Sequence, residues 1–396
     1  MIHLTSMLAC RAPRAGLVLP VILLLALIPM IAGAATLEYP YLYKSPRSMG
    51  MGGAGVAIGG RFDALLINPA NLTDMPSGDW QVDLLGFSVG YGENVKDFID
   101  DIDEATDVGD LNGDGDTDDD ELRAVNEVLD RYKGQNMYLD SSLLISMARG
   151  GEGVSWGFGA LGAFRMNIVP HEGFGTDGLL EVHSAADYGY MIGASFNRSE
   201  SFHPGFSLKF INRDSVDHSF SAREIVEHED NLDDYLTDEV VVEGTAFGFD
   251  AGFIYEMKDV NMNPAFGLSV LNIGDLDFGE AGKVPMTLNI GVSARKDVPV
   301  LGNVLMGLDM VDVTGRYEED NDIVKRLRMG AEIVAVDNTW VTLAVRGGLY
   351  QGYGTFGADL RLALLNFSYN TYAEEMGAYA GQRPDRRHIL GFAIRW

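Results

Sequence analysis

Past residue 80 the chain alternates apolar and polar side chains with period two, over stretches longer than ordinary strands. In "TAFGFDAGFIY", Phe247, Phe249, Ala251, Phe253 and Tyr255 share one face, and Ala246, Gly248, Asp250 and Gly252 share the other. In "VPMTLNIGVSA" the apolar face is Val284, Met286, Leu288, Ile290, Val292 and Ala294. "WVTLAVRGGL" and "TFGADLRLALL" repeat the pattern, setting Val341, Leu343, Val345, Phe356, Leu360 and Leu362 against Thr342, Arg346, Gly357, Asp359 and Arg361. A β-sandwich also alternates. These segments, however, approach the ~9–11 tilted residues that cross a bilayer. Their apolar face is continuous and aromatic-ended, while the other carries glycine and single charges, as a polar lumen requires.

Segments of this kind fall near 80–91, 137–149, 154–168, 180–197, 204–216, 239–257, 264–274, 283–296, 301–314, 322–336, 339–350, 354–364, 366–373 and 386–396. They number fourteen, an even count as a closed bacterial barrel needs. The even-numbered connections are short, such as "GGEG" and "KDVPV"; the 1st, 3rd and 7th are the long ones. Short turns on one side and longer loops on the other is the outer-membrane arrangement. The chain ends in "HILGFAIRW", whose Leu390, Phe392, Ile394 and Trp396 alternate up to a terminal aromatic. This resembles the signal by which outer-membrane assembly machinery recognises barrels. Trp80, Tyr91, Tyr138, Trp156, Tyr255, Trp340 and Trp396 are expected to form interfacial girdles.

Residues 1–34 read as a secretory signal peptide: Arg11 and Arg14, the apolar "GLVLPVILLLALIPMIAG", then small residues at Ala32-Gly33-Ala34. The only cysteine, Cys10, lies within it, so the expected mature chain has no disulfide and no thiolate chemistry. A formal net charge of −29 excludes a basic nucleic-acid interface.

"GMGGAG" at 50–55 spells a dinucleotide-binding turn. Such a turn needs a buried strand before it and a helix after it. Here "EYPYLYKSPRS" precedes, with two prolines, and another Gly-Gly pair follows within a few residues, so the cofactor reading is set aside. Glycines of this kind suit a segment packed against other backbone. "SPRSMGMGGAGVAIGGRFDALLINPANL" resembles the N-terminal region of the FadL-like superfamily of outer-membrane barrels, which includes long-chain fatty-acid transporters, TraF-type barrels and PorV-like secretion components. The shared residues are Gly50, Gly52, Gly53 and Gly55, the acidic Asp63, and Asn68-Pro69-Ala70. The match is sharp over these residues and architectural beyond them, and it is nearest the TraF/PorV-type branch.

The resemblance implies an all-β, 14-stranded antiparallel transmembrane β-barrel with an N-terminal plug, or hatch, at 35–79 and the barrel at 80–396. It places the protein in the outer membrane of a Gram-negative bacterium, in contact with outer-membrane lipid. A plug needs partners for its backbone. Lumen-facing Arg165, Lys209, Arg295, Arg326, Arg328, Arg346, Arg361 and Arg387 are candidate donors, with Asp250, Glu332 and Asp359 to pair with them. They read either as ion-pair ladders bracing the strands or as a positive lumen that steers a carboxylated substrate.

"DLNGDGDTDDDE" fits the calcium-loop pattern at every specified position. Asp110, Asn112 and Asp114 supply side-chain oxygens, Gly115 the sharp turn, Asp116 a carbonyl, Asp118 position 9, and Glu121 a bidentate carboxylate. Val95, Phe98, Ile99 and Ile102 before it, and Leu122, Val125, Leu129 and Tyr132 after it, have helical spacing. A small helical EF-hand-like insert at 92–136, in the first external loop and holding a structural Ca²⁺, is therefore expected. The competing reading is a solvated acidic run. "GFSVG" at 86–90 spells a nucleophile elbow, but Ser88 lies inside an alternating strand. No enzymatic site is expected. The resemblance leaves two functions open: an uptake channel for hydrophobic or amphipathic small molecules, fatty-acid-like, or a scaffold barrel of a conjugation or secretion system.

Overall fold

In the computed structural model, residues 38–75, 77–106, 117–171, 179–221, 240–317 and 322–396 are described. Fourteen antiparallel strands close into a barrel. They are β1 (Trp80–Gly92), β2 (Met137–Arg149), β3 (Val154–His171), β4 (Leu179–Phe196), β5 (Phe202–Ser221), β6 (Val242–Glu256) and β7 (Ala265–Leu271). The remainder are β8 (Thr287–Val298), β9 (Gly302–Met310), β10 (Leu327–Asp337), β11 (Val341–Tyr350), β12 (Tyr353–Leu362), β13 (Leu365–Glu375) and β14 (Pro384–Arg395). Each pairs with its neighbours in sequence, and β1 closes the ring on β14 through Phe87↔Phe392 and Val89↔Leu390. No strand edge is left unpaired, which is what a bilayer interior demands. Among the described residues no helix is long and apolar enough to cross a membrane.

The period-two pattern decides which face points where. On β6, Phe247, Phe249 and Tyr255 are exposed while Asp250 is fully buried. On β11, Leu343 and Val345 are exposed while Ala344 and Arg346 are buried. Phe247 is 78% exposed and Leu84 59%, so the outer belt is stable only against lipid. The register of β1 shifts between Asp83 and Gly86 against β2, a bulge that puts Leu84 and Phe87 both outward.

Several strand limits differ from expectation, three of them for a plain physical reason. The segment expected at 283–296 begins only at Thr287, because Pro285 has no N–H for the ladder. Lys283–Val284 instead pairs with Leu276–Asp277 in a small hairpin. β9 stops at Met310, before Asp312 at φ 44°. β10 starts at Leu327, because Asp322 caps the short helix Ile323–Arg326 through Val324 N–H at 2.9 Å. The 9th connection, 311–326, is thereby lengthened, the 5th, 222–241, is long as well as the 1st and 7th, and the 3rd is only 172–178 because β3 runs past its expected end.

Strands β3, β4 and β5 run 18, 18 and 20 residues, well past a bilayer's needs. On the long-loop side two helices, α1 (Val95–Thr106) and α2 (Thr117–Arg131), cover part of that extension. Their buried Val95, Phe98, Val125 and Leu129 pack with Met137, Leu139, Ile168 and Leu180. The helical spacing of these residues thus serves to keep an apolar sheet face out of water. The candidate calcium ligands Asp110, Asn112, Asp114 and Asp116, with Gly115, lie outside the described residues, as does the side chain of Asp118.

Candidate functional site: the barrel interior

The N-terminal segment lies against the inner wall. Ser45 caps a five-residue helix, Pro46–Gly50, whose Pro46 occupies a position that needs no N–H. Gly52 follows at φ 65°, and an added Cβ there would lie 2.3 Å from the Met329 carbonyl oxygen. The wall answers with its own glycines. A Cβ on Gly330 would meet the Met51 carbonyl oxygen at 2.1 Å, and one on Gly205 would meet Ala70 N at 2.4 Å. Backbone therefore rests on backbone, and the orphan N–H groups find wall carboxylates. Gly55 and Val56 donate to Asp309 Oδ2 at 2.6 and 2.9 Å.

The sequence motif comes together around Asn68, which is fully buried. Its Nδ2 donates to the Val56 carbonyl at 2.8 Å, and its Oδ1 accepts from Ala70 N at 3.1 Å, capping the 3₁₀ turn Pro69–Asp74. Asp63 accepts two bonds from Arg61 at 2.7 and 2.8 Å. Burial pushes the Asp63 carboxyl up, but the Arg61 charge and hydrogen bonds outweigh it and hold it at about 2. Asp63 is thus satisfied within its own segment, while Asn68 also serves the wall.

The expected lumen charges divide. Glu332 receives Arg346 at 2.5 Å and Arg47 at 2.7 Å, and Arg346 continues to Asp359 at 2.6 Å. Lys209 pairs with Asp250 at 2.9 Å, and Arg165 with Asp187 at 2.8 Å. Arg387 pairs with Asp385 and with Glu38, each at 2.8 Å, and lies 3.4 Å over the Tyr138 ring. Arg361 donates to Thr342 and reaches Asp337 at 3.4 Å. Arg328 serves the Lys325 and Leu327 carbonyls, and Arg295 is half-buried on β8. Arg326 stands in the helix before β10 instead of on a strand wall, since the strand begins one residue later. Tyr138 is a second correction: it points inward, where its hydroxyl meets that of Tyr41 at 2.7 Å, and so belongs to no outer girdle.

Sequence reading missed Glu38, Lys44, Arg61, Asp187, Arg213, Asp309 and Glu374. Asp187 and Asp309 sit on inward positions of alternating strands and could have been found by the same counting. Glu38 and Lys44 precede the strands and have no period to mark them. Burial works against the Glu38 carboxylate, but Arg387 and Lys44 hold it below the usual range. Burial likewise works against the Lys44 ammonium, which Glu374 and Glu38 hold above its usual range.

The interior is not polar throughout, as the alternation suggested. Beside β2–β6, Leu65 and Leu72 of the segment and Leu144, Leu161 and Ile211 of the wall form an apolar core. The hairpin of the 7th connection folds inward to join them with Leu276 and Phe278. Beside β10–β14 the charges prevail, and there the packing opens into a cavity of about 810 Å³. Arg47, Glu332, Arg346, Asp359, Arg361 and Arg395 line it, and Trp340 and Trp396 stand at its mouth on the short-turn side. Ser88 is buried inside β1, its hydroxyl hydrogen-bonded with Ser142 Oγ at 2.8 Å. Among the described residues no cluster of His, Cys, Asp and Glu is arranged to hold a metal.

Solved structures similar to this one are closed barrels as well. A TodX monoaromatic hydrocarbon channel mutant lacking S2S3 aligns with a TM-score of 0.52 at 11% identity, covering 89% of this chain and 98% of its own. The Ralstonia pickettii toluene transporter TbuX aligns at 0.51 and 12%, covering 90% and 99%. The Pseudomonas putida toluene transporter TodX aligns at 0.50 and 11%, covering 91% and 99%. At such identity the likeness establishes the closed antiparallel barrel fold and nothing finer. No curated protein matches the chain in sequence. A family model described as "F plasmid transfer operon, TraF, protein" matches residues 65–346, most of the barrel wall and the end of the N-terminal segment, and the chain belongs to that family.

Proposed function

We propose that the protein is a non-enzymatic outer-membrane channel for the uptake of small hydrophobic or amphipathic molecules. The observation that carries this reading is the cavity of about 810 Å³ inside the closed wall. Its size falls in the range that holds one small organic ligand, ~300–1,000 Å³. Relatives in fold are a monoaromatic hydrocarbon channel and toluene transporters, which supports hydrophobic cargo. In this reading residues 35–79 are a plug that a ligand displaces or bypasses. Residues 1–34 are a cleaved signal peptide, and the terminal strand is read by the outer-membrane assembly machinery. Native mass spectrometry of protein extracted in mild detergent tests it. A bound hydrophobic small molecule is expected; an empty barrel holding a stoichiometric protein instead favours the second reading.

That second reading is a scaffold of a conjugation or secretion system. It draws on the description of the family and on the ion pairs that fasten Glu38 and Lys44 to Arg387 and Glu374, which anchor the segment firmly. Calcium binding by Asp110, Asn112, Asp114, Asp116, Asp118 and Glu121 is part of the proposal. Helix α1 ends at Thr106 before that loop, and α2 runs from Thr117 through its last positions, so a helix stands on each side of the first ligands, and millimolar external calcium then suffices for a structural role.

A further inference from the structure

The outer face of the barrel carries a group of side chains that owes nothing to what passes through the lumen. On the short-turn rim, Arg149 stands between two tryptophans. It pairs in register with Trp80 on β1 and with Trp156 on β3, so the three sit abreast across adjacent strands. The alternation places them outside. Ser146 and Ala148 on β2 and Ser155 on β3 are buried, while Ile145 and Phe158, on the faces of Arg149 and Trp156, are exposed. The indole rings meet edge-on at 5.6 Å, and the guanidinium carbon of Arg149 lies 5.2 Å over the Trp80 ring. Trp80 opens β1 and also borders the mouth of the interior cavity, so the group stands at the edge of the wall.

Its partners set this arginine apart. On the same rim Arg395, Arg361 and Lys258 are each met by a carboxylate, from Asp83, Asp337 and Glu256. Among the described residues Arg149 forms no ion pair, and its guanidinium donates no hydrogen bond. The nearest acids along the chain, Asp79 and Glu152, are exposed and leave it unpaired. Arg198 on this rim is likewise unpaired among the described residues, but it lies over no ring. A guanidinium offers five donors in a planar fork that matches phosphate in geometry as well as charge.

Depth in the membrane names the source of that phosphate. The short turns of a bacterial barrel face the periplasm, so this rim lies at the headgroup level of the inner leaflet, where indoles settle. Toward the bilayer centre the outer face is apolar. Phe158 follows Trp156 on β3 and stacks with Tyr190 at 6.2 Å. Beyond it, Ala160 and Gly162 lie between Ile145 and Leu143 on β2 and Tyr190 and Tyr188 on β4. Small residues between large ones leave a shallow trough in the belt, along which an acyl chain can lie.

We infer that Trp80, Arg149 and Trp156 form a binding site for the phosphodiester of an inner-leaflet glycerophospholipid. The phosphate sits on the Arg149 fork beside the two indoles, and an acyl chain follows the trough along β3. Charge-assisted hydrogen bonds from the fork fix the headgroup, which bulk lipid contact alone does not.

Native mass spectrometry of the protein, purified in tetraethylene glycol monooctyl ether and stripped of co-purified lipid, tests the site. The protein is titrated with dioleoylphosphatidylglycerol and, separately, with dioleoylglycerol, which shares the chains and lacks the phosphate. The phospholipid is expected to be retained about fivefold more readily, the worth of one arginine at a membrane surface. Arg149→Gln is expected to remove that preference, and Arg149→Lys, which keeps the charge without the fork, to keep part of it. Arg198→Gln is expected to leave it intact. Each variant is checked for a folded barrel by heat-modifiable gel migration. Equal retention of the two lipids by the wild type, or a preference that survives Arg149→Gln, overturns the site. A preference lost equally in Arg198→Gln does so too, because it reports the charge of the rim and not a site. Inorganic phosphate separates lipid from free anion. No saturable heat is expected when it is titrated calorimetrically; saturable binding that Arg149→Gln abolishes assigns the fork to a soluble anion and removes the lipid.

Discussion

The backbone N–H of Gly55 donates to Asp309 Oδ2 at 2.6 Å, tying the N-terminal segment to a strand 254 residues further along the chain. The same oxygen accepts from Val56 N–H at 2.9 Å. One carboxylate therefore satisfies two buried donors that glycine-rich backbone cannot satisfy for itself. Asp309→Leu leaves both without a partner, at about 1–3 kcal/mol each. Limited proteolysis of the folded protein is expected to cut within residues 38–75 much faster in this variant, while the barrel still migrates as a folded, heat-modifiable species. Asp309→Asn, which keeps an acceptor oxygen, is expected to lie between the two. Equal cleavage rates in all three contradict the assignment.

Backbone contact at Gly330 gives a steric counterpart. A side chain there meets the Met51 carbonyl at 2.1 Å, whereas one at Gly162 meets nothing within 4 Å. Gly330→Val is expected to loosen the N-terminal segment, seen as faster deuterium exchange at residues 48–58, and Gly162→Val to leave that exchange unchanged. Protection at 48–58 that survives Gly330→Val shows that the contact does not hold the segment.

Asp63 makes the docking of the segment acid-sensitive in a defined window. Its carboxyl is held at about 2, below the ordinary 3.8. A depressed carboxylate contributes fully above its ordinary value and loses that contribution as pH falls through its folded value. The part of the segment's protease resistance that Asp63 supplies is expected to drop as pH falls toward about 2. The still lower Glu38 adds a later loss. Asp63→Asn leaves Arg61 buried and unpaired, at about 3–5 kcal/mol. It is expected to weaken docking already at neutral pH and to erase the step near pH 2.

Much of this architecture was legible in the sequence, and the reason is the period of two. Asp250, Arg346 and Asp359 are readable as inward residues because Phe249, Val345 and Leu360 beside them must face lipid. The alternation fixes only direction. It cannot say that Leu144 and Ile211 meet Leu276 and Phe278 in an apolar core, because that contact depends on a loop folding inward past Pro285. Nor does it reveal that Asp309 serves Gly55, since carboxylates on a lumen wall look alike until the segment that needs them is in place. Tyr138 shows the same limit: an aromatic near a strand end reads as girdle, and only its pairing with the buried Asn167 on β3 marks it as inward. Glu38 and Lys44, which precede all periodic sequence, left no mark at all.

The helical pair on the long-loop side makes a separate prediction. Leu129 is fully buried between the helices and the sheet. Leu129→Ala is expected to cost about 2–5 kcal/mol locally, releasing the pair to protease without changing barrel migration. If the proposed calcium site is real, calcium raises the protease resistance of this pair in the wild type, chelator removes the gain, and Glu121→Ala shows none. Resistance that is the same with calcium and with chelator retires the metal.

The central claim is that a hydrophobic molecule passes through this barrel, and the initial rate of radiolabelled toluene uptake tests it most directly. The strain used lacks its own channel of this class and is compared with and without the protein in its outer membrane. The account predicts a severalfold higher initial rate with the protein present. An unchanged rate, with folded barrel confirmed in the outer membrane, contradicts it.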